Sequence, residues 1–375
     1  MEINTSKMDC RQLKFIISIA FLLLSSTSFA QIRIEDKVTF SSIPFAQLIA
    51  PDGRLVGSSD MGGKIDTALV DRFVKSSDTL EVQHISYENQ AMKWKDIKQN
   101  GIIRLVPRKV VIPEITVTNK KEKMVLVLEG YFRCYQLKDS VPEYYADGLV
   151  KYYIWNDGKR FKNKVEAYRL FRNQEILDKI KKRSITLTEG APAIPYIEPT
   201  SILKQLNTHY VFKDSIGEQV ILRENSVVGH IRMNEAQKQI QINIDWIAPA
   251  KAEERNLFGY EIKLSHNDIY ETYRAKGQSM VSKANLECWR RYYQYFFKHK
   301  KEKRYKNIQI SSEFYVLKSY YLPKSVMNER EPTSGFGLKE SHFYTSEYWT
   351  QLGKTVPPLN SNIQKLLGTK LTMYE

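Results

Sequence analysis

Cysteine is scarce in this 375-residue chain, with three in all, at positions 10, 134 and 288. That excludes a disulfide framework of the kind that holds small secreted domains together. The six histidines, at 84, 209, 230, 266, 299 and 342, form no HExxH or HxH pattern, so the closely spaced ligands of a zinc peptidase are missing. No GxSxG elbow, Walker loop or GxGxxG fingerprint occurs, which removes the usual sequence grounds for serine-hydrolase or nucleotide chemistry. "TSGFG" (333–337) only imitates an elbow and reads as a flexible loop. A membrane-spanning run is missing too. "FIISIAFLLL" (Phe15–Leu24) is about half the length that crosses a bilayer core, which needs about 20 residues.

That short run reads instead as the centre of a cleaved export signal. Lys7, Arg11 and Lys14 precede it, and "SSTSFA" follows, with Ser28 and Ala30 as the small residues that a signal peptidase needs. The expected cut lies between Ala30 and Gln31, leaving 1–30 as signal peptide. No cysteine follows the run, so no lipid anchor is expected at the new N-terminus. The expected localisation is the periplasm or the outer membrane.

The 345 residues that remain are long enough for two domains. The whole chain carries a formal charge of +15, and the leader accounts for three basic and two acidic residues, leaving +14. The charges are dispersed, with Glu and Asp interleaved among Lys and Arg, so solubility is the plainer reading and attraction to an acidic surface the sharper one. Export disfavours nucleic acid as a partner.

Residues 31–118 read as an all-β unit. "IPFAQLIA" is an apolar strand, and "PDG" (51–53) places Pro and Gly where a turn uses them. "RLVGSS" resumes extended structure, and "DMGGK" turns again. "DTLEVQHISYENQAMKW" is rich in β-formers, with a phase slip between Val82 and Ile85 that predicts a bulge or a strand buried on both faces. "GIIRLVPR" and "VIPEITVT" supply two more strands. The order "SIPFAQL", "DG", "SDMGGK", "SDTLEVQHISYE", "IRLVPR", "ITVT" resembles the carboxypeptidase regulatory-like domain. That resemblance implies a seven-stranded, transthyretin-like β-sandwich, common in exported proteins of Gram-negative bacteria, which holds none of the zinc ligands of the peptidases it accompanies. The first strand departs from the family pattern, being reduced to "IRIEDKV".

After a basic linker, "NKKEK" (119–123), residues 119–375 read as an α+β domain with a curved antiparallel sheet and a few helices. "EYYADGLVKYYIW", "NDGK" and "KVEAYRLF" predict a hairpin. "NQEILDKIKKR" predicts one to three helical turns, and the Pro-rich "TEGAPAIPYIEPT" a surface loop. "SVVGHIRM", "KQIQINIDWI", "NLFGYEIKL" and "IYETYRA" predict strands. In 278–300, Val281, Ala284, Cys288, Tyr292 and Tyr295 fall three or four apart and predict an amphipathic helix with an aromatic face. "NIQISSEFYVLKSYYL" predicts a last strand pair, followed by a long loop and a short helix around Asn362–Leu367. This order of elements resembles the periplasmic lipoprotein carriers, whose half-barrel holds acyl chains under a helical lid. An ordinary core filled by the same aromatics is the competing expectation.

No catalytic, cofactor or metal residue is assigned. His84 and Glu88 lie four apart on a predicted strand, and His84 reads as a sandwich-face residue. Cys134 and Cys288 form a candidate disulfide, or else two buried thiols whose apolar settings suppress the thiolate. "CWRRYYQYFFKHKKEKRYK" (288–306) interleaves aromatic and basic residues, which suits either a membrane surface or a core face with a solvated basic end. The expectation is therefore a non-catalytic envelope protein that binds or carries an apolar, lipid-like ligand. The alternatives are a module that docks onto an outer-membrane protein and, least favoured, an unrecognised hydrolase.

Overall fold

The computed structural model describes residues 32–108, 124–155, 158, 160–175, 178, 192–206, 208–215, 218–234, 238–247, 253–257, 259–275, 281–325, 327, 337–338, 342–353 and 356–373. The expected signal peptide with Ala30 and Gln31, the strand "VIPEITVT" and most of the loop before the C-terminus lie outside them.

The N-terminal unit contains β1 (Arg33–Asp36), β2 (Gln47–Ile49), β3 (Leu55–Ser58), α1 (Thr67–Asp71), β4 (Thr79–Gln83), β5 (Gln90–Lys93), α2 (Trp94–Asn100) and β6 (Ile102–Leu105). Strands β3, β2, β4 and β5 form one antiparallel sheet in that order, and β1 pairs with β6 in parallel. The turns are made by the residues whose chemistry suits them. Gly53 and Gly63 both have positive φ, and a Cβ on Gly63 would lie 2.6 Å from the Ile34 carbonyl. Asp66 caps α1 by accepting from the Leu69 amide at 3.0 Å. Ile34, Leu48, Val56, Val70, Val82, Trp94 and Leu105 fill the core between the two sheets.

The remainder is dominated by one 12-stranded sheet. Its members are β7 (Met124–Lys138), β8 (Val141–Trp155), β9 (Phe161–Arg172), β10 (Tyr210–Ser215), β11 (Glu218–Arg223), β12 (Ser226–Asn234), β13 (Gln239–Asp245), β14 (Glu253–Leu257), β15 (Tyr260–Arg274), β16 (Leu286–His299), β17 (Lys306–Pro323) and β18 (Thr372–Met373). The path runs β10-β11-β12-β13-β15-β16-β17-β7-β8-β9-β18, with β14 alongside β15. Every pairing in it is antiparallel, and β17 joins the end of the meander back to β7. Small helices α3 (Ile202–Gln205), α4 (Tyr348–Gln351) and α5 (Ser361–Gln364) punctuate the connections.

Over the central part of this sheet both faces are covered, which sets its composition there. On one face Phe132, Cys134, Ala146, Tyr152, Leu170, Ile242, Trp289 and Phe314 pack together with Ile194, Ile197 and Ile202 of the segment 192–206. We call this the segment face. The opposite, N-terminal face carries Arg133, Tyr270, Arg290 and Glu313, against which the N-terminal unit and the C-terminal residues pack. This side is held by Arg290 Nη2 to the Phe45 carbonyl at 2.7 Å, Ser86 Oγ to Tyr270 OH at 2.9 Å and Tyr135 OH to the Gly53 carbonyl at 2.9 Å.

Two expectations are corrected here. Residues 286–299 form a strand, not part of an amphipathic helix, with Cys288, Arg290 and Tyr292 on the N-terminal face and Trp289, Arg291 and Tyr293 on the other. Because both faces are covered, apolar residues occupy both phases and chance spacings of three and four arise. The Pro-rich stretch from 192 is not a surface loop either. Ile194 and Ile197 are buried, and the carbonyls of Ala193 and Pro195 accept from Cys134 Sγ and Tyr152 OH. Prolines without N–H groups let this segment lie across the sheet with few donors to satisfy.

Two glycines make room for two rings in this core. A Cβ on Gly130 would meet the Tyr315 carbonyl at 2.2 Å and the Phe314 ring at 2.6 Å, and one on Gly148 would meet the Phe132 ring at 2.7 Å. Phe314 is fully buried and stands edge-on to Tyr152, with ring centroids 4.9 Å apart. Phe314→Ala is expected to cost about 3–5 kcal/mol of unfolding free energy. Gly130→Ala is expected to cost about 1–3 kcal/mol through overpacking. Urea titration of each variant checks both.

Candidate functional site

The two cysteines are free, and they lie on opposite faces of the sheet. Cys134 pairs in register with Ser312 of β17, whereas Cys288 pairs with Tyr315 of the same strand from the other side. Two strand spacings and three residues of rise put their Cα atoms roughly 14 Å apart, beyond the ~7 Å reach of a disulfide. The candidate disulfide is therefore corrected to two buried thiols. Burial pushes each thiol up to about 12, far from the thiolate that a nucleophile needs.

His84 lies just past β4, where the N-terminal unit meets the large sheet. Its Nδ1 accepts from the Ser86 amide at 3.2 Å, and its ring stands edge-on to Tyr87 and Tyr270. Burial, reinforced by Arg290 and Arg232, holds its pKa well below the ordinary value, so it is neutral. Among the described residues no group of three or more His, Cys, Asp or Glu is placed to hold a metal ion.

A cleft opens on the segment face among the described residues and has a volume of about 280 Å³. Strand alternation builds one wall. Asn267, Ile269 and Glu271 alternate on β15, Trp289 and Arg291 face them from β16, and Trp246 follows the end of β13. Tyr196, Glu198, Ile202 and Gln205 of the covering segment form the other wall. Arg291 Nε donates to Asn267 Oδ1 at 2.8 Å, which aims the guanidinium along the sheet. Burial draws the Arg291 pKa below its ordinary value, while Tyr293 and Glu198 act in the opposite sense.

Glu271, although it lines the cleft, is committed elsewhere. Its carboxylate accepts from Lys283 Nζ at 2.5 Å, from Tyr273 OH, and from the Ile202 amide at 3.1 Å, so it anchors the covering segment. Tyr196, Trp246 and Trp289 also line the cleft, with Arg291 and Glu198 beside them. Sequence reading did not single out Tyr196, Trp246, Asn267 or Glu198. Their one visible signal was the spacing of Trp289 and Arg291, two apart, as on one face of a strand. Two further voids, of about 30 and 10 Å³, lie where the N-terminal unit meets the sheet and are of water size.

Neither a scan against protein-family models nor a search of curated proteins finds a match for this chain. Its site is therefore argued from geometry.

One buried acid makes stability depend on pH near neutrality. Burial raises Glu287 to about 7, although Gln239 donates to it at 2.6 Å and Arg274 lies nearby. Because the folded value exceeds the ordinary one, the stability associated with the protonated acid is fully present below about 4.5. It is lost as pH rises through about 7. Glu287→Gln mimics the protonated state, so the variant is expected to gain on the parent chain between pH 5 and pH 8, by up to about 3 kcal/mol. Urea titrations at the two pH values check this, and a gain of equal size at both would contradict it.

Proposed function

We propose that this chain is an exported, non-catalytic binding protein of the cell envelope, holding an amphipathic, lipid-like ligand in the cleft between residues 196–205 and strands β13, β15 and β16. One observation carries the reading: three aromatic side chains share a cleft of about 280 Å³ with Arg291 and Glu198. That volume lies near the lower end of the range for small-molecule sites. The aromatic faces suit alkyl or ring C–H surface. A wholly apolar ligand, however, would strip water from Arg291 and Glu198 without replacing it, which costs several kcal/mol. A ligand with a polar head and an apolar body satisfies both. On this reading the N-terminal unit is a carboxypeptidase regulatory-like sandwich, and the large sheet is a curved half-barrel similar to the lipoprotein carriers.

A second reading, docking onto an outer-membrane protein, is favoured by one feature of the sandwich. Asp36 Oδ1 accepts from the amides of Val38 and Thr39, and this tight turn exposes Val38 and Phe40, with the Arg104 guanidinium 5.5 Å from the Phe40 ring.

The deciding experiment is native mass spectrometry, with lipid extraction, on the mature protein purified gently from its own envelope. The binding reading expects a co-purifying amphiphile that is lost in Trp246→Ala and depleted in Arg291→Ala, with both variants folded. A clean apo mass for the parent chain would sink it and turn attention to the Val38–Phe40 turn.

A further inference from the structure

The far halves of two long strands leave the core. On β15, Asp268–Tyr273 are buried whereas Tyr260–Asn267 are half-exposed. On β16 the buried residues cluster before Tyr293, and Tyr293–Phe296 are half-exposed. This bare end gathers three hairpin tips. The Lys300 amide donates to the Gly259 carbonyl at 2.9 Å, joining the β16–β17 tip to the β14–β15 tip. The Asp139 amide donates to the Asn307 carbonyl at 2.8 Å, and the Asn307 amide to Asp139 Oδ1 at 2.8 Å, joining the β7–β8 turn to the same row.

Charge at this end is one-sided. Glu302 accepts from Lys306 Nζ at 2.9 Å and from the His299 amide at 3.0 Å. Glu261 accepts from Lys298 Nζ at 3.0 Å and from Tyr305 OH at 2.7 Å. Glu253 and Glu254 are paired with Arg255 and Lys263. Lys300, Lys301, Lys303 and Arg304 are left exposed, with no acidic partner among the described residues. Apolar groups lie beside them. Leu257 and Val141 are 53% and 47% exposed, and Tyr260, whose ring meets His299 edge-on at 5.1 Å, lies in register with both Leu257 and His299. Ile262, Leu264, Tyr293 and Tyr295 continue this half-exposed surface toward the cleft.

We propose that these three hairpin tips dock onto an anionic lipid surface, with Lys300, Lys301, Lys303 and Arg304 against the headgroups and Leu257 and Tyr260 in the interfacial layer. Charge complementarity chooses the occupant, since four unpartnered cations suit phosphate headgroups. The neighbouring apolar side chains suit a bilayer better than a soluble polyanion, which offers them nothing. Tyrosine, with an apolar ring and a polar tip, suits that boundary. The proposal stands apart from whatever the cleft holds.

The test is flotation of the purified chain with phosphatidylcholine vesicles, with and without phosphatidylglycerol, at low and high salt. Binding is expected only to the anionic vesicles and is expected to weaken with salt. Each cation near such a surface is worth about fivefold in affinity, so replacing Lys300, Lys301, Lys303 and Arg304 together by Gln is expected to lower affinity on the order of 100-fold or more. Leu257→Ser, at unchanged charge, is expected to weaken binding several-fold. Both changes lie on exposed tips, and unchanged circular dichroism and melting confirm folding. No binding, equal binding to neutral vesicles, or full binding by the fourfold variant would overturn the proposal. So would binding to dextran sulfate as tight as to vesicles and indifferent to Leu257→Ser, which would mark a site for soluble polyanions.

Discussion

The buried pair of Arg133 and Glu313, on the adjoining strands β7 and β17, is the constraint on which the rest of the arrangement depends. Both side chains are almost fully buried. Burial works against the Arg133 cation, but Glu313 and the surrounding tyrosines overcome it and hold its pKa above the ordinary value. Such a pair gives little net stability compared with apolar packing, and it is costly to leave half-made. Here it is completed from three directions. Tyr315 OH lies 2.9 Å from Glu313 and 3.1 Å from Arg133, Gln83 of the N-terminal unit reaches Glu313 at 3.4 Å, and Arg133 donates to the Pro357 carbonyl at 3.1 Å. Sheet, N-terminal unit and C-terminal segment thus meet around one charge pair, and displacing any of them leaves a buried polar group unsatisfied.

The same device recurs at each point where a covering segment is tied to the molecule. Asp147, fully buried, binds Arg169 Nη2 at 2.6 Å and accepts from Tyr348 OH at 2.7 Å, which fixes α4. Glu81 on β4 accepts from Ser361 Oγ at 2.5 Å and from the Ser361 amide at 2.7 Å, which fixes the start of α5. Glu271 accepts from the Ile202 amide and fixes α3. Helices of four residues cannot stand alone, because nucleating a helix costs more than so short a run returns. Each of the three is held by a carboxylate from the body it covers. These carboxylates are consequently spent on architecture, which leaves Arg291 and Glu198 as the charged groups of the cleft.

What was legible in the sequence follows from how local the determining physics was. Turns at Pro51–Gly53 and Asp60–Lys64, and the alternation that pairs β8 with β9, depend on residues close together, and they were read as they stand. β16 was misread because the covering segment and the N-terminal unit are far from it in sequence. With both faces buried, the two-residue period that marks a half-exposed strand disappears. Residues 192–206 misled for the opposite reason, since their prolines suit a surface loop and also suit a strap with few amide donors. The thiols of Cys134 and Cys288 fell on opposite faces through register alone, and register is set by distant pairings. The cleft shares this origin, as Trp246, Asn267 and Arg291 converge only once β13, β15 and β16 are aligned.

The division of the sheet into a covered body and a bare end is what makes a surface role physically coherent. Bare strand ends with exposed apolar side chains invite edge pairing and aggregation, and lysines at the tips counter that by repulsion. Lys263 and Lys298 also lie over the Tyr305 ring, at 5.3 and 4.9 Å, so part of the basic charge stiffens the tip. The same juxtaposition of cations and partly exposed rings that keeps two copies apart in water is attractive toward a negatively charged interface. Strands β15 and β16 extend from this end to Asn267, Glu271, Trp289 and Arg291, with an irregularity in their pairing between Leu264 and His266. A ligand leaving an anionic surface would meet the half-exposed row from Leu264 and Tyr295 to Tyr293 before it reached Arg291.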